Sequence, residues 1–316
     1  MCIGWERICF GKPGWYRWPE MRALAEDLRR MGLATREGVS LRRYTTVRTG
    51  GKAALMVFPQ TLGELEKLWL YLRRRGVPYF LLAGGSKVLF PDEGFSGVVI
   101  NLRLLSGFRE LSPGRLEVLC GTPVAMLIAY GLKRGFRGFE FLAGIPATLG
   151  GAIRMNAGAF GQTTGTFIEE VWFLDSGGLR KVDRTGLSFR YRRLVPEGLV
   201  AKAVVRLLPA SPPEVRERVK TLIRERRCKQ PLGQPSFGST FLNPDTGPPA
   251  GWLIEKAGLK GKRRGGARIS PRHANFIVNE GGARSRDILD LMEEARERVF
   301  HRFGILLQTE VRVVRA

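Results

Sequence analysis

The chain has 316 residues, of which 44% are hydrophobic and 26% charged, and 52 Lys and Arg against 29 Asp and Glu give it a formal net charge of +23. This size exceeds one ordinary hydrophobic core and predicts two or three domains of a soluble globular protein. No membrane span is predicted: the long uncharged stretch Phe141 to Ile153 has 13 residues, against the about 20 needed.

Glu6, Arg7 and Lys12 interrupt any apolar secretory segment at the start, and the tryptophans Trp5, Trp15 and Trp18 there carry no assignment. Residues 19 to 33 form an amphipathic pattern, with Met21, Leu24, Ala25, Leu28 and Met31 on one side, and predict a helix capping the first domain. From Tyr44 come a strand-like run, the Gly50-Gly51 turn, a strand from Ala53 to Phe58, a helix from Leu62 to Arg75 and a strand from Pro78 to Ala83. This β-α-β unit ends in a glycine loop at 84 to 86, followed by a Pro91-Asp92-Glu93-Gly94 turn; it lacks the GxGxxG of a Rossmann unit. Strands at 97–101 and 116–120, a helix from Val124 to Lys133, and strands at 171–174, 180–182 and 200–208 complete a second α/β segment. Pro212 and Pro213 mark a boundary, after which a helix from Glu214 to Arg227 shows Val215, Val219, Leu222 and Ile223 on its apolar face. Ser285 is expected to cap a last helix ended by Gly304, and Ile305 to Val313 alternates as a strand that leaves Glu310 on the polar face, in solvent or in a cleft.

The stretch from Gly138 to Gly161, GFEFLAGIPATLGGAIRMNAGAFG, is the densest in glycine. Glycines remove side chains where backbone passes close to something and let N–H groups converge, which suits a phosphate; an isolated pair more often serves packing alone. Three clusters, at 50–51, 84–85 and 138–161, favour a bound dinucleotide. Cys2, Cys9, Cys120 and Cys228 show no CxxC pairing and, with only two histidines, no zinc site or other metal is predicted; scattered thiols fit a reducing cytoplasm. Arg226, Arg227 and Lys229 around Cys228 would favour its thiolate, although an ordinary thiol is the simpler reading. The basic surplus suits nucleic acid, an anionic membrane surface or small polyanions, and arginines spread over the whole length also fit a bias of genome composition. Its densest runs, Arg73 to Arg75 and Lys260 to Arg268, lack interleaved aromatics and read as solvated faces or substrate-entry charge.

Seven segments occur in the order of a known family: YTTVRTGGKA, LLAGGSKVLFPDEGFSGVVINL, the glycine stretch itself, KQPLGQPSFGSTFLNP, AGWLIEKAGLKG, SPRHANFIVNEGG and FGILLQTEV. Together they span residues 44 to 313, and the chain resembles the UDP-N-acetylenolpyruvoylglucosamine reductase family of peptidoglycan precursor synthesis, in the subgroup without an extra tyrosine loop. The resemblance implies an α+β fold: a two-part FAD-binding domain of the vanillyl-alcohol-oxidase or PCMH type, and a C-terminal α/β substrate-binding domain. It divides the chain into a helical extension over 1–43, FAD-binding parts over 44–105 and 106–211, and a substrate domain over 212–316. It further implies NADPH-dependent, FAD-mediated reduction of UDP-N-acetyl-enolpyruvoyl-glucosamine to UDP-N-acetylmuramate by a cytoplasmic monomer, with no nucleic-acid partner and no membrane insertion.

The same resemblance assigns residues. Arg192 and Glu310 hold and polarise the substrate carboxylate, and Ser239 gives the proton. FAD falls to Gly50, Gly84, Gly85, Ser86, Lys87 and Val88 in the first part. In the second part it falls to Gly144, Ile145, Pro146, Thr148, Gly150, Gly151, Ala152, Asn156 and Gly158. The UDP-sugar falls to Lys229, Asn243, Lys260 and His273. An arginine fork suits a carboxylate, and a flavin must supply the hydride because no side chain can. Three positions depart from the family pattern: Lys87 replaces an asparagine, as a cation beside the diphosphate or in the space of a lost hydrogen bond; Leu194 replaces a serine; and Leu242 replaces a lysine. These departures keep a second reading open, a flavoprotein of the same fold with different or no activity; a basic nucleic-acid-binding protein would explain the charge but not the ordered motifs.

Overall fold

The computed structural model describes residues 18–315, so Cys2, Cys9, Trp5 and Trp15 lie outside the described residues. The chain divides into two compact units. The first comprises the described part of Met1–Glu37 with Ala54–Gly84 and Ser96–Ile223; the second comprises Gly38–Ala53, Gly85–Phe95 and Arg224–Ala316. The chain thus passes between units after Glu37, Ala53, Gly84 and Phe95, and inside a helix after Ile223.

In the first unit, helix α1 (Trp18–Arg30) buries Met21, Leu24, Ala25 and Leu28 in the same core as Leu65, Leu68 and Leu72 of α2 (Leu62–Arg74). Met31, expected on that apolar face, is exposed, because the helix has ended at Arg30 and the chain has left its register. Thr61 starts α2 by accepting the Glu64 amide at 3.1 Å. A four-stranded sheet has the order Ala34–Ser40, Lys52–Phe58, Phe95–Asn101, Tyr79–Leu82. Strand Phe95–Asn101 therefore lies between the two strands of the β-α-β unit and pairs in parallel with Tyr79–Leu82, Leu82 opposite Asn101. Its near-continuous buried run, Gly97 to Asn101, is that of a strand covered on both faces. A five-stranded antiparallel sheet follows the order Gly178–Asp183, Ile168–Asp175, Leu199–Arg206, Arg115–Leu119, Phe108–Ser112. Helix α3 (Val124–Arg134) ends at Gly135, whose φ of +76° closes it in the left-handed region. The glycine stretch contains the short helix α4 (Leu149–Arg154). Helix α5 (Pro212–Lys229) crosses from one unit to the other: Val219 and Ile223 still pack on the first core, which is why the division falls beyond the prolines.

The second unit has its own core, in which Phe237, Phe241, Leu253, Ile254, Ile277, Ile288, Leu291 and Val299 join α6 (Ala250–Lys256) and α7 (Ser285–Phe303) to a four-stranded antiparallel sheet. The sheet runs Ser236–Ser239, Phe276–Asn279, Ala267–Ile269, Arg263–Arg264. Ser285 does not cap α7: it is the first helical residue, and Asp92 caps instead, accepting the Ser285 and Arg286 amides at 2.8 and 3.1 Å. The expected strand from Ile305 to Val313 shrinks to Arg312–Val313, which pairs in parallel with Val88–Leu89, plus an isolated bridge between Thr309 and Phe241. Leu307 and Val311 are buried, whereas Val313 is exposed.

Candidate active site

Each unit carries one set of the expected residues. In the first, the glycine stretch is clamped by the segment before α3: the Leu149 amide donates to the Thr122 carbonyl and the Gly150 amide to the Cys120 carbonyl, both at 2.8 Å. These two amides at the start of α4 are therefore committed to protein. The glycine pair divides by role. A Cβ on Gly150 would lie 2.7 Å from Cys120 Cβ and 3.0 Å from its carbonyl, while one on Gly151 would meet only Thr148 Oγ1, at 3.4 Å. Gly150 is thus required for packing, and Gly151 is not. Cys120 itself is buried, which pushes its thiol up to about 12.

The open edge of the stretch fits a cofactor. Gly144 and Pro146 are exposed, Ile145, Gly151 and Gly158 are half-buried, and Gly84 sits with its Cβ position 3.3 Å from the Pro146 carbonyl. Between them the Thr148 hydroxyl is buried with no hydrogen-bond partner, a donor and acceptor unsatisfied by protein. A ligand with polar atoms along this edge would satisfy it. Ala152 is buried and offers a ligand little surface.

Asn156, expected at the cofactor, is buried at φ +38° with both ends of its amide in use: Oδ1 accepts the Gly165 amide and Nδ2 donates to the Arg190 carbonyl, each at 3.0 Å. Arg154 donates to the Leu194 carbonyl at 2.8 Å and pairs with Glu197 at 3.5 Å, and burial lowers its pKa. These two residues therefore anchor the hairpin Ser188–Arg190 and Arg193–Val195, whose turn carries Arg192 at φ +53°. A non-glycine residue in the left-handed region is uncommon and marks a turn held by its surroundings. The Arg192 guanidinium lies 5.1 Å from the Tyr191 ring and within 3.5 Å of the Gly158 carbonyl. Leu194, where the resemblance implied serine, is fully buried, so core packing stands in the place of that hydroxyl.

In the second unit, Gly85 has φ +65°, and a Cβ there would lie 1.9 Å from the Tyr44 carbonyl; at Gly51 it would lie 2.2 Å from the Asp92 carbonyl, and at Gly50 3.0 Å from Phe90 Cβ. Close backbone approach requires glycine at Gly51 and Gly85, and close side-chain approach together with φ +106° favours it at Gly50. Ser86 is half-buried, and Val88 is buried in its pairing with Arg312. Lys87 reaches two residues assigned to catalysis: Nζ donates to the Ser239 carbonyl at 2.6 Å and pairs with Glu310 Oε1 at 3.1 Å. Glu310 is accordingly not in solvent, its side chain being 6% exposed. Its amide donates to the Thr240 carbonyl at 2.9 Å, which brings Glu310 beside Ser239.

Asn275 was not singled out in the sequence. It exchanges both its amide ends with Phe241, Oδ1 accepting the Phe241 amide and Nδ2 donating to its carbonyl, each at 2.9 Å, and so fixes the segment after Ser239. The signal is long-range and has no local pattern. Asn243, His273 and Lys260 gather around α6: Asn243 accepts the Ala250 amide at 3.1 Å, Lys260 donates to Glu255 at 3.0 Å, and the His273 ring lies where a Cβ on Gly251 would be 2.9 Å away. His273 Nδ1 accepts the Asn275 amide at 3.2 Å, which puts the proton of the neutral ring on Nε2; burial first, and the Lys260 charge second, lower its pKa. Lys229 is exposed at the end of α5. Leu242 is half-buried, its amide donating to the Gln308 carbonyl. A cleft of about 720 Å³ lined by Arg42, Arg43, Arg48, Asn279 and Glu280 contains none of the assigned residues.

The basic runs are engaged inside their own units. Arg73 and Arg75 lie over the Trp69 and Tyr71 rings, each at 4.6 Å, and Lys262, Arg264, Arg263 and Arg268 pair with Glu294 and Glu280. Among the described residues no helix is long and apolar enough to cross a membrane, and no three His, Cys, Asp or Glu side chains group as metal ligands.

Comparison with known proteins gives two family models. Residues 53–181 match the FAD binding domain, and residues 230–314 match the C-terminal domain of UDP-N-acetylenolpyruvoylglucosamine reductase. A curated UDP-N-acetylenolpyruvoylglucosamine reductase of Synechococcus sp. (strain JA-3-3Ab) is 41% identical over 295 residues, covering 92% of this chain and 94% of that protein. One from Aquifex aeolicus is 39% identical over 284 residues, covering 88% and 94%. The crystal structure of UDP-N-acetylenolpyruvylglucosamine reductase (MurB) from Thermus caldophilus matches with a TM-score of 0.75 at 33% identity, over 90% of this chain and 99% of that one. With two relatives matched over nearly their whole length, both domain models in place and the fold shared, this chain belongs to the UDP-N-acetylenolpyruvoylglucosamine reductase family.

Proposed function

We propose that this protein reduces UDP-N-acetyl-enolpyruvoyl-glucosamine to UDP-N-acetylmuramate, with FAD as cofactor and NADPH as reductant. The observation that supports it most is the meeting of Ser239 and Glu310, from distant parts of the sequence, through the hydrogen bond from the Glu310 amide to the Thr240 carbonyl. Residues 44–105 and 106–211 act as the two parts of the FAD-binding domain, 212–316 as the substrate domain, and 1–43 as an extension. Gly84, Gly144, Ile145, Pro146, Thr148 and Gly151 would hold the FAD, the orphaned Thr148 hydroxyl being the best fitted to it. Bound FAD supplies the hydride that adds to the β carbon of the enolpyruvyl ether.

The protein's own residues manage the charge and the proton. As the β carbon gains its hydride, the electron pair of the double bond moves toward the carboxylate and an enolate forms. Arg192 holds that carboxylate with its permanently charged fork, and Glu310 orients it. The Ser239 hydroxyl then gives its proton to the α carbon, and solvent restores it. A serine is a weak acid, so it must face a strongly basic enolate directly. Asn243, Lys260, His273 and Lys229 are assigned to the UDP-sugar. Neutral His273 would offer its Nε2–H. NADPH and a nucleotide sugar are both cytoplasmic metabolites, which supports a cytoplasmic site of action; we read the protein as a monomer that takes these small anions and neither nucleic acid nor membrane.

The test is a flavin absorbance band in the purified protein followed by NADPH oxidation that depends on the enolpyruvyl sugar. Ser239→Ala should bleach with NADPH at the normal rate while its reoxidation by the sugar falls about 10² to 10⁴-fold. Colourless protein, or NADPH oxidation indifferent to the sugar, would contradict the reading. Normal reoxidation in Ser239→Ala would remove that serine from the reaction.

A further inference from the structure

Lys87 connects parts of the second unit that the reaction uses. Its backbone carbonyl accepts the Arg312 amide at 2.9 Å, within the pairing of Val88–Leu89 with Arg312–Val313. Its ammonium turns back to the Ser239 carbonyl, at 2.6 Å, and to Glu310 Oε1, at 3.1 Å. Gly238 stands beside it at φ +74°, a conformation that favours glycine, with its Cβ position 3.7 Å from the ammonium. A lysine ammonium has three donors, and two are thereby directed at residues assigned to one chemical step. Glu310 is the more buried partner, 6% exposed against 26% for Lys87. A buried carboxylate beside an ammonium is held in place; without one it is repelled from its own site or turns toward solvent.

We infer that Lys87 is a positioning residue for the reduction, one that fixes the Glu310 carboxylate and the Ser239 backbone relative to each other and thereby sets where the Ser239 hydroxyl meets the enolate. The inference rests on the function proposed above and assigns Lys87 to proton delivery rather than to the diphosphate of FAD. It is a role for this chain's lysine, where the family resemblance implies a neutral asparagine. The rest of the local scaffold does not depend on the ammonium: Ser239 pairs with Phe276, Thr240 donates to the Asn275 carbonyl, and Glu310 donates to the Thr240 carbonyl. Loss of the charge should therefore leave the fold in place and displace the reacting groups slightly, and misplacement of about 1 Å suffices for about a 10²-fold loss of rate.

The experiment compares the holoenzyme with Lys87→Met, which keeps the side-chain length, and Lys87→Arg, which keeps the charge. The two half-reactions are followed by flavin absorbance, and FAD affinity is titrated at low and high salt. In Lys87→Met, reduction by NADPH should stay within about twofold of normal, and reoxidation by the enolpyruvyl sugar should fall about 10- to 100-fold, mainly in its limiting rate. Lys87→Arg should recover part of that loss. In a Glu310→Gln background Lys87→Met should add little further, because the two act as a unit. Unchanged FAD affinity at low salt completes the expected pattern. Normal reoxidation by Lys87→Met overturns the inference, as does a weakening of FAD binding that salt abolishes, which would place the ammonium on the diphosphate. If Lys87→Met does not fold, Lys87→Arg decides: a partial loss of reoxidation with normal reduction supports positioning, and normal reoxidation or equal slowing of both half-reactions refutes it. Failure of the unaltered protein to use the enolpyruvyl sugar overturns the proposed function, and this inference with it.

Discussion

The glycine pair at 150 and 151 gives the sharpest test of how this fold uses glycine, because neighbouring residues of one short helix are expected to respond in opposite directions. At Gly150 an alanine would bring its Cβ to 2.7 Å from Cys120 Cβ, 3.0 Å from the Cys120 carbonyl and 3.2 Å from its Cα. Carbon atoms at rest lie about 3.5 to 4.0 Å apart. The obstacle is mostly main chain, and the Gly150 amide is tied to that same carbonyl at 2.8 Å, so neither side yields without losing the bond. Overpacking of this kind costs about 2–3 kcal/mol, offset by about 1 kcal/mol of helix propensity gained in replacing glycine. Gly150→Ala should therefore destabilise the first unit by about 1–2 kcal/mol. Gly151→Ala meets only Thr148 Oγ1, at an ordinary 3.4 Å, so it keeps the propensity gain and should leave the flavin-free protein as stable or up to about 1 kcal/mol more stable. Its effect should appear instead on FAD, whose approach along the open edge beside Thr148 a methyl group would obstruct. Thermal unfolding of flavin-stripped protein separates the two variants by about 2–4 °C per kcal/mol, and a flavin titration completes the comparison. A Gly150→Ala protein as stable as the parent, together with a Gly151→Ala protein that is less stable, would refute the division of roles.

Three further outcomes are expected. Alkylation of the native protein should modify exposed Cys228 and leave Cys120 untouched until denaturant is added, because Cys120 is buried and its thiol is pushed up to about 12; a labelled Cys120 peptide from native protein would contradict this. Asn275→Ala should cost about 2 kcal/mol in denaturant unfolding, since it strips both Phe241 backbone partners from a buried position, and a loss under about 0.5 kcal/mol would mean that the bonds are dispensable. His273 has its pKa lowered in the folded protein, so the unfolded chain takes up its proton first as the pH falls. Its contribution is complete above about pH 6.5 and declines from there down to its lowered folded value, with a slope of at most about 1.4 kcal/mol per pH unit. Unfolding curves at pH 7.5, 6.5 and 5.5 should show the parent losing stability relative to His273→Gln on acidification; curves that stay parallel would exclude the coupling.

Sequence by itself determined the family, the cofactor class and most of the element order, because those rest on local rules. The periodic apolar residues Leu65, Leu68 and Leu72 specified α2 before any contact was known, and the unbroken run from Gly97 to Asn101 specified a covered strand. It also named Ser239 and Glu310. Local rules reach only as far as the neighbouring turn, however, and failed wherever a distant segment supplied the partner. Ser285 reads as a helix cap in the sequence, yet Asp92 accepts its amide, and the bridge that the Asn156 amide makes between Gly165 and Arg190 has no local pattern either. The glycine clusters looked alike as sequence, yet only tertiary structure decided that a Cβ on Gly51, Gly85 or Gly150 would strike main chain of another segment while one on Gly151 would meet only the Thr148 hydroxyl at contact distance. Lys87 is the clearest case. Its charge was plain in the sequence, but the direction of a flexible four-carbon stem is set by which carbonyl and carboxylate the fold brings within reach, here those of Ser239 and Glu310.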